Sequence, residues 1–298
     1  MRPIIKHLVI AGGAHIGFSY YGAIRTLCKY DFIKMKHVET IYATSVGTIL
    51  SVMLSLDLEW DDVDEYVAKQ QWKKVFPFNI GSALKAIPKG GLYDMNNLEK
   101  VVSPLLEKKH LPCNITLQEF HDFNKKDIHF IATQYEPFQL KDISYKTHPE
   151  WPLLDAIYAS SCFPVLFVPY ETQTNIYLDG ALYENYPINQ CIANHDPNET
   201  FGISFEHYQT NHTSYKHSSF RLVLFLLDLM FKLWNQIKHP MTNAAKSAPY
   251  QINIRGDTRV SQALHVVSSE HERNKLIQNG VNSAHCFLSN LPKSPPLP

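Results

Sequence analysis

Two strand–turn–helix units stand in succession near the start of this chain, and that order constrains the fold more than any other feature. Ile4 to Ile10 is a short apolar run with β-branched residues, the pattern of a buried strand. The turn Ala11-Gly12-Gly13-Ala14-His15-Ile16-Gly17 follows it. Tyr21, Ile24, Leu27 and Cys28 then recur at helical spacing between Phe18 and Tyr30. Val38 to Ala43 reads as a second strand, Ser45 stands at the bend, and Val46 to Leu56 reads as a helix. A helix between two strands carries the chain back across the sheet, so consecutive strands lie parallel. The expectation is an α/β chain whose mainly parallel central sheet is covered by helices.

Later segments extend this pattern. Residues 57–110 read as mainly helical, broken near Pro77 and at Pro88-Lys89-Gly90-Gly91. Strands are expected at Ile128 to Thr133, Ile176 to Leu178 and Phe201 to Phe205, and helices at Leu153 to Ser160, Phe220 to Ile237 and Val260 to Asn279. With no repeat and no linker, residues 1–290 are expected to form one domain, followed by a disordered proline-rich tail over 291–298.

Charge and cysteine content narrow the function classes. Lys plus Arg and Asp plus Glu both number 28, without the basic excess of a nucleic-acid binder. Cys28, Cys113, Cys162, Cys191 and Cys286 are scattered and never spaced as Cys-x-x-Cys, which argues against a disulfide framework and for a reducing, cytoplasmic setting. A signal-peptide core and an apolar run long enough to span a bilayer are both missing from the sequence. No metal-binding spacing is visible either, so no metal site is expected.

Three turns carry the candidate chemistry. Ala43-Thr44-Ser45-Val46-Gly47 joins a strand to a helix, the setting of a nucleophile elbow, where small residues two before and two after the serine let helix and strand approach. A serine capping the next helix is the competing reading. Gly12-Gly13-Ala14-His15-Ile16-Gly17 places backbone N–H groups at a helix start, where they can hold an anion. A dinucleotide pyrophosphate is disfavoured as that anion. The middle glycine of the fingerprint is Ala14, and no acid closes the second strand, so a nucleotide-dependent oxidoreductase is set aside. An oxyanion hole serving a nearby serine and a plain tight turn remain. Tyr177-Leu178-Asp179-Gly180-Ala181 puts a carboxylate at the end of a strand, although Asp-Gly alone is most often just a turn.

Taken in order, the three turns resemble the patatin-like phospholipases. Leu153-Leu154-Asp155-Ala156-Ile157-Tyr158-Ala159-Ser160-Ser161-Cys162-Phe163-Pro164 is similar to that family's helix before the aspartate strand, and Asn274 to Gly280 to its C-terminal helix. The resemblance spans roughly residues 5–285. It implies a patatin-type three-layer α/β fold and a Ser-Asp dyad. Ser45 would be the nucleophile of an elbow built from Ala43, Thr44, Val46 and Gly47. Asp179 would be the general base, set in its turn by Gly180 and Ala181. N–H groups of Gly12, Gly13 and Ala14 would hold the oxyanion. Hydrolysis of phospholipids or other acyl-ester lipids, of phospholipase A type and without cofactor or catalytic calcium, is the activity implied. The family's third loop glycine is Ala14 here, and its basic loop residue is Ile16. A non-catalytic lipid-binding relative is the alternative.

A Ser-His-Asp triad would need His207, His212, His217 or His265, none of which lies in a recognisable motif. His265 is expected on an apolar helical face, His15 in a solvent-exposed loop, and Cys162 packed beside the site. On the helix expected over Phe220 to Ile237, Arg221, Asp228, Lys232, Asn235 and Gln236 form one narrow polar stripe. Its wide apolar remainder suits a helix buried in its own domain first, a homodimer contact second, and peripheral membrane docking with Trp234 as anchor third.

Overall fold

The structure, a computed structural model, describes residues 3–79, 88–207, 242–257 and 259–291, together with 222, 225, 226, 229, 230, 232 and 233. The first unit is realised as β1 (His7–Ile10), the glycine turn and α1 (Gly17–Lys29), and the second as β2 (Thr40–Thr44) and α2 (Val46–Ser55). The helical region contains α3 (Trp60–Lys69), α4 (Trp72–Val75) and α5 (Met95–Glu107), with the short β3 (Gly91–Tyr93) at the expected break. Then come α6 (Leu117–Asn124), β4 (Asp127–Gln134), β5 (Gln139–Ile143), α7 (Leu153–Ser161), β6 (Val165–Phe167), β7 (Tyr170–Glu171) and β8 (Ile176–Asp179). The last elements are α8 (Ile188–Asn194), β9 (Thr200–His207), α9 (Asn243–Ser247), β10 (Tyr250–Gly256), α10 (Val260–Ser268) and α11 (Glu270–Asn290).

The main sheet has the order β10-β9-β1-β2-β4-β8-β7, with β5 also paired to β4. Strands β10, β9, β1, β2 and β4 are mutually parallel, whereas β5, β8 and β7 add antiparallel pairings at one edge. The fold is therefore α/β with a mixed, mostly parallel central sheet, as the sequence led us to expect. Successive side chains of a strand face opposite ways. Leu8, Ile10, Ile41 and Ala43 accordingly pack in one core with α1, α2, α7 and α11, while Val9, Tyr42 and Ile131 pack on the other face with Ile188, Cys191 and Ala245. Burial on both faces explains why these strands are continuous apolar runs.

Helices α1 and α11 cross without a side chain between them. A Cβ on Gly22 would lie 2.1 Å from the Ile277 carbonyl oxygen, and one on Gly280 would lie 1.8 Å from that of Ser19. Neither obstacle is a movable side-chain end, so the helices would have to part. Gly22→Ala is expected to cost at least about 2 kcal/mol through overpacking, and to lower the melting temperature by roughly 5 °C. An unchanged melting temperature would exclude this crossing.

Several expectations need correction. The helix expected over Val260 to Asn279 is two helices, because Ser269 has an extended backbone and its side chain accepts the Glu272 N–H to cap α11. His265 is exposed on α10 instead of facing a core. Most of the helix expected over Phe220 to Ile237 lies outside the described residues. Its described members are helical, but Leu222, Phe225 and Leu233 are 67%, 51% and 51% exposed, so the buried-helix reading fails for them. The tail beyond 291 also lies outside the described residues. Cys28, Cys113, Cys162, Cys191 and Cys286 are all free thiols. No helix among the described residues is long and apolar enough to cross a membrane.

Candidate active site

The carboxyl ends of β1 and β2 lie side by side at the middle of the sheet, and the glycine and serine turns leave from them. Ser45 has φ 53° and ψ −124°, a left-handed conformation that a non-glycine residue adopts only under constraint from its surroundings. The constraints are visible. A Cβ on Gly47 would lie 2.4 Å from the Ile10 carbonyl oxygen, so α2 presses directly on the end of β1. Gly17 gives the same clearance to Val46, at 2.5 Å. The Ser45 N–H donates to Ser160 Oγ at 3.0 Å, and that hydroxyl donates in turn to the Ile131 carbonyl at 2.5 Å. Thr48 Oγ1 donates to the Ser45 carbonyl at 2.6 Å. Ala43 and Thr44 are fully buried, and Thr44 Oγ1 donates to the Glu184 carbonyl at 3.1 Å.

Asp179 reaches the serine from the opposite direction. Strand β8 runs antiparallel to β4 and pairs Asp179 with Ala132, one residue beyond the Ile131 that pairs with Thr44. The carboxylate therefore stands level with Ser45. Ser45 Oγ donates to Asp179 Oδ2 at 2.7 Å, while the Ala181 N–H donates to Oδ1 at 2.8 Å. Gly180 is required at the turn, since its Cβ would lie 2.0 Å from the Ile131 carbonyl oxygen. Asp179 is only 2% exposed. Burial pushes its carboxyl up to about 7, against the opposing pull of the bonds from Ser45 and Ala181.

The glycine turn is a single 3-10 turn, Ala14–Ile16, leading into α1. Ala14 has φ 46°, so an alanine occupies a left-handed position at some steric cost. The Gly12 N–H, expected to face an oxyanion, donates instead to the Asn185 carbonyl at 3.1 Å. The N–H groups of Gly13 and Ala14 make no hydrogen bond among the described residues.

The other tempting residues fall away from the chemistry. Among the described residues no histidine hydrogen-bonds to Ser45 or Asp179, and His212 and His217 lie outside them, as does the side chain of His207. His15 is buried, not exposed as expected: its Nε2–H donates to the Asp257 carbonyl at 2.7 Å, tying the turn to the end of β10. Cys162 is packed beside the site, and burial pushes its thiol far up from the ordinary range. Among the described residues no three His, Cys, Asp or Glu side chains gather as metal ligands. Tyr20, Ser160 and Asn185 also contact the turns; Ser160 and Asn185 meet partners 115 and 173 positions away, and Tyr20 reaches back eight positions to the Gly12 carbonyl, so no local pattern marks any of them. A hydroxyl bonded to a buried carboxylate, with two amide N–H groups of the neighbouring turn that make no bond among the described residues, has the parts needed for acyl transfer.

A family model for patatin-like phospholipases matches residues 8–192. A probable lipid hydrolase, 463L, of Invertebrate iridescent virus 6 is 24% identical over 230 residues, covering 74% of this chain and 77% of the relative. An uncharacterized protein of Acanthamoeba polyphaga mimivirus is 24% identical over 207 residues, 70% of this chain and 67% of the relative. Among solved structures, VipD from Legionella pneumophila aligns with a TM-score of 0.55 and 17% identity, over 96% of this chain and 67% of VipD. The type III effector ExoU of Pseudomonas aeruginosa aligns with a TM-score of 0.51 and 12% identity, over 96% of this chain and 53% of ExoU. At these identities the likeness to the two structures is one of fold.

Proposed function

The chain belongs to the patatin-like phospholipase family, and from that membership we propose that it is a phospholipase A-type lipid acyl hydrolase working through a Ser45–Asp179 dyad. The observation that carries this reading is the 2.7 Å bond from the strained Ser45 hydroxyl to the buried Asp179 carboxylate. Asp179 takes the proton as Ser45 Oγ attacks the ester carbonyl. The oxyanion of the tetrahedral intermediate is held by the unbonded N–H groups of Gly13 and Ala14. Gly12 is left as the residue whose missing side chain keeps the turn close to Ser45. Asp179 then gives its proton to the leaving alcohol. Water, deprotonated by the same carboxylate, releases the fatty acid from Ser45.

The substrate class in this reading is a phospholipid or another acyl-ester lipid, met at a membrane surface. Exposed Leu222, Phe225, Leu226, Leu229 and Leu233 recur at intervals of three and four, which sets them on one helical face. That face is where we place peripheral membrane contact; a homodimer contact is the rival use.

The test is covalent capture by a fluorophosphonate together with fatty-acid release from phospholipid vesicles. Only the ionised carboxylate can accept the proton, so capture and hydrolysis are expected to rise with pH to a midpoint of about 7. Lipid binding without capture at any pH would favour the non-catalytic relative instead.

A further inference from the structure

The carbonyl of Gly12 is held at two points. The Tyr20 hydroxyl donates to it at 3.1 Å, and Asn185 Nδ2 donates to it at 3.4 Å. On the other side of the same residue, the Gly12 N–H donates to the Asn185 backbone carbonyl at 3.1 Å. The peptide unit between Gly12 and Gly13 is planar, and in the trans form its C=O and N–H point in opposite directions. A carbonyl fixed at two points therefore fixes the direction of the Gly13 N–H. That amide is one of the two assigned above to the oxyanion.

We propose that Tyr20 and Asn185 are positioning residues of the oxyanion turn, acting through the Gly12 carbonyl to aim the Gly13 N–H. The inference rests on the Ser45–Asp179 reading. Tyr20 is fully buried, and a Cβ on Gly13 would lie 3.1 Å from its hydroxyl, so the phenol sits directly beneath the turn. Asn185 follows Asp179 by six residues, and the loop that carries it is fastened to β2 by Thr44 Oγ1 at the Glu184 carbonyl. Base, nucleophile and oxyanion turn thus share one frame.

The Asn185 amide adds a second line of support. With Nδ2 donating to the Gly12 carbonyl beside the Tyr20 hydroxyl, Oδ1 faces away from it. Oδ1 is then a buried oxygen with no hydrogen-bond partner among the described residues. It lies 2.5 Å from the place a Gly12 Cβ would occupy, and Ser45 Cβ lies 3.1 Å from the same point. An unpaired buried oxygen costs stability, a cost that a residue serving only to fill space there would not carry.

Tyr20→Phe, Asn185→Ala and the near-isosteric Asn185→Asp test the assignment on a soluble short-chain ester. Removing an oxyanion donor outright costs about 10²–10³ in kcat, and loosening one is expected to cost roughly 10-fold. The expected result is a fall of kcat by that factor in each variant, with KM unchanged. Fluorophosphonate capture of Ser45 should slow in proportion, since the phosphorus adduct uses the same N–H groups. For Tyr20→Phe and Asn185→Ala the pH midpoint near 7 should stay, because Asp179 is untouched. Asn185→Ala should melt no lower than wild type. Should Asn185→Ala fail to fold, Tyr20→Phe removes a single oxygen and still decides the matter. Wild-type kcat in Tyr20→Phe, or losses that appear only in KM or in melting temperature, would overturn the proposal. A wild-type protein inert to both ester and fluorophosphonate would instead overturn the underlying reading, and this inference with it.

Discussion

Ser45→Ala is expected to lower turnover of a soluble ester by at least roughly 10⁴-fold and to end fluorophosphonate capture altogether. The variant loses the hydroxyl that donates to Asp179 Oδ2, and with it the proposed acyl-enzyme. Its fold should survive. Alanine carries the same Cβ at φ 53°, and the Ser45 N–H keeps its partner in Ser160. Ser45→Gly should be equally inactive yet melt higher, because glycine enters the left-handed region without steric cost. Turnover near wild type in either protein, free of contaminating esterase, would remove Ser45 as the nucleophile.

Asp179→Asn is expected to lose hydrolysis to a similar degree while gaining stability. The carboxyl is raised by burial from 3.8 to about 7. Below about pH 4 it is neutral in both folded and unfolded chains, and no pH-dependent cost arises. Between about pH 4 and pH 7 the unfolded chain ionises this group while the fold keeps it neutral, so stability falls as pH rises. Above about pH 7 the whole cost is in place, on the order of 4 kcal/mol at about 1.4 kcal/mol per pH unit. Asparagine bears no charge at any pH. The variant should therefore melt above wild type at about pH 8 and by no comparable margin at about pH 4. The gain should fall short of the full figure, because an amide NH₂ replaces one oxygen that accepts from Ser45 or Ala181. If Asp179→Asn melts lower at about pH 8, the carboxylate is supported as an ion, and its fitness as a base near neutral pH loses its electrostatic ground.

Much of the frame was legible because local chemistry decides it. The strands around Leu8 and Ile41 are buried on both faces, so they had to be apolar runs, and the helix between them forces a parallel pairing. The small neighbours of Ser45, Ala43 and Gly47, suit a helix that starts this close to a strand, but alone they fit a capping serine as well, and the glycine turn before and the aspartate turn after were needed to single it out. Asp179 was less accessible, since Asp-Gly marks ordinary turns as well, and only its order after the other two turns distinguished it. Strand β10 went unread although its buried positions Ile252 and Ile254 alternate with exposed Asn253 and Arg255, a half-buried pattern interrupted by too many polar residues to stand out.

By itself the sequence determined the two leading strand–turn–helix units, and which turns carry a serine, glycines and an aspartate. Periodicity and turn chemistry are properties of neighbours in the chain, so they can be read there. The tertiary structure alone decided that β8 runs antiparallel, which sets Asp179 level with Ser45 across 134 positions of sequence. It alone buried His15 against Asp257, 242 positions away, and brought Asn185 onto Gly12 from 173 positions away. A polar side chain has no periodicity to announce its partner, and its role exists only once packing has brought the two together.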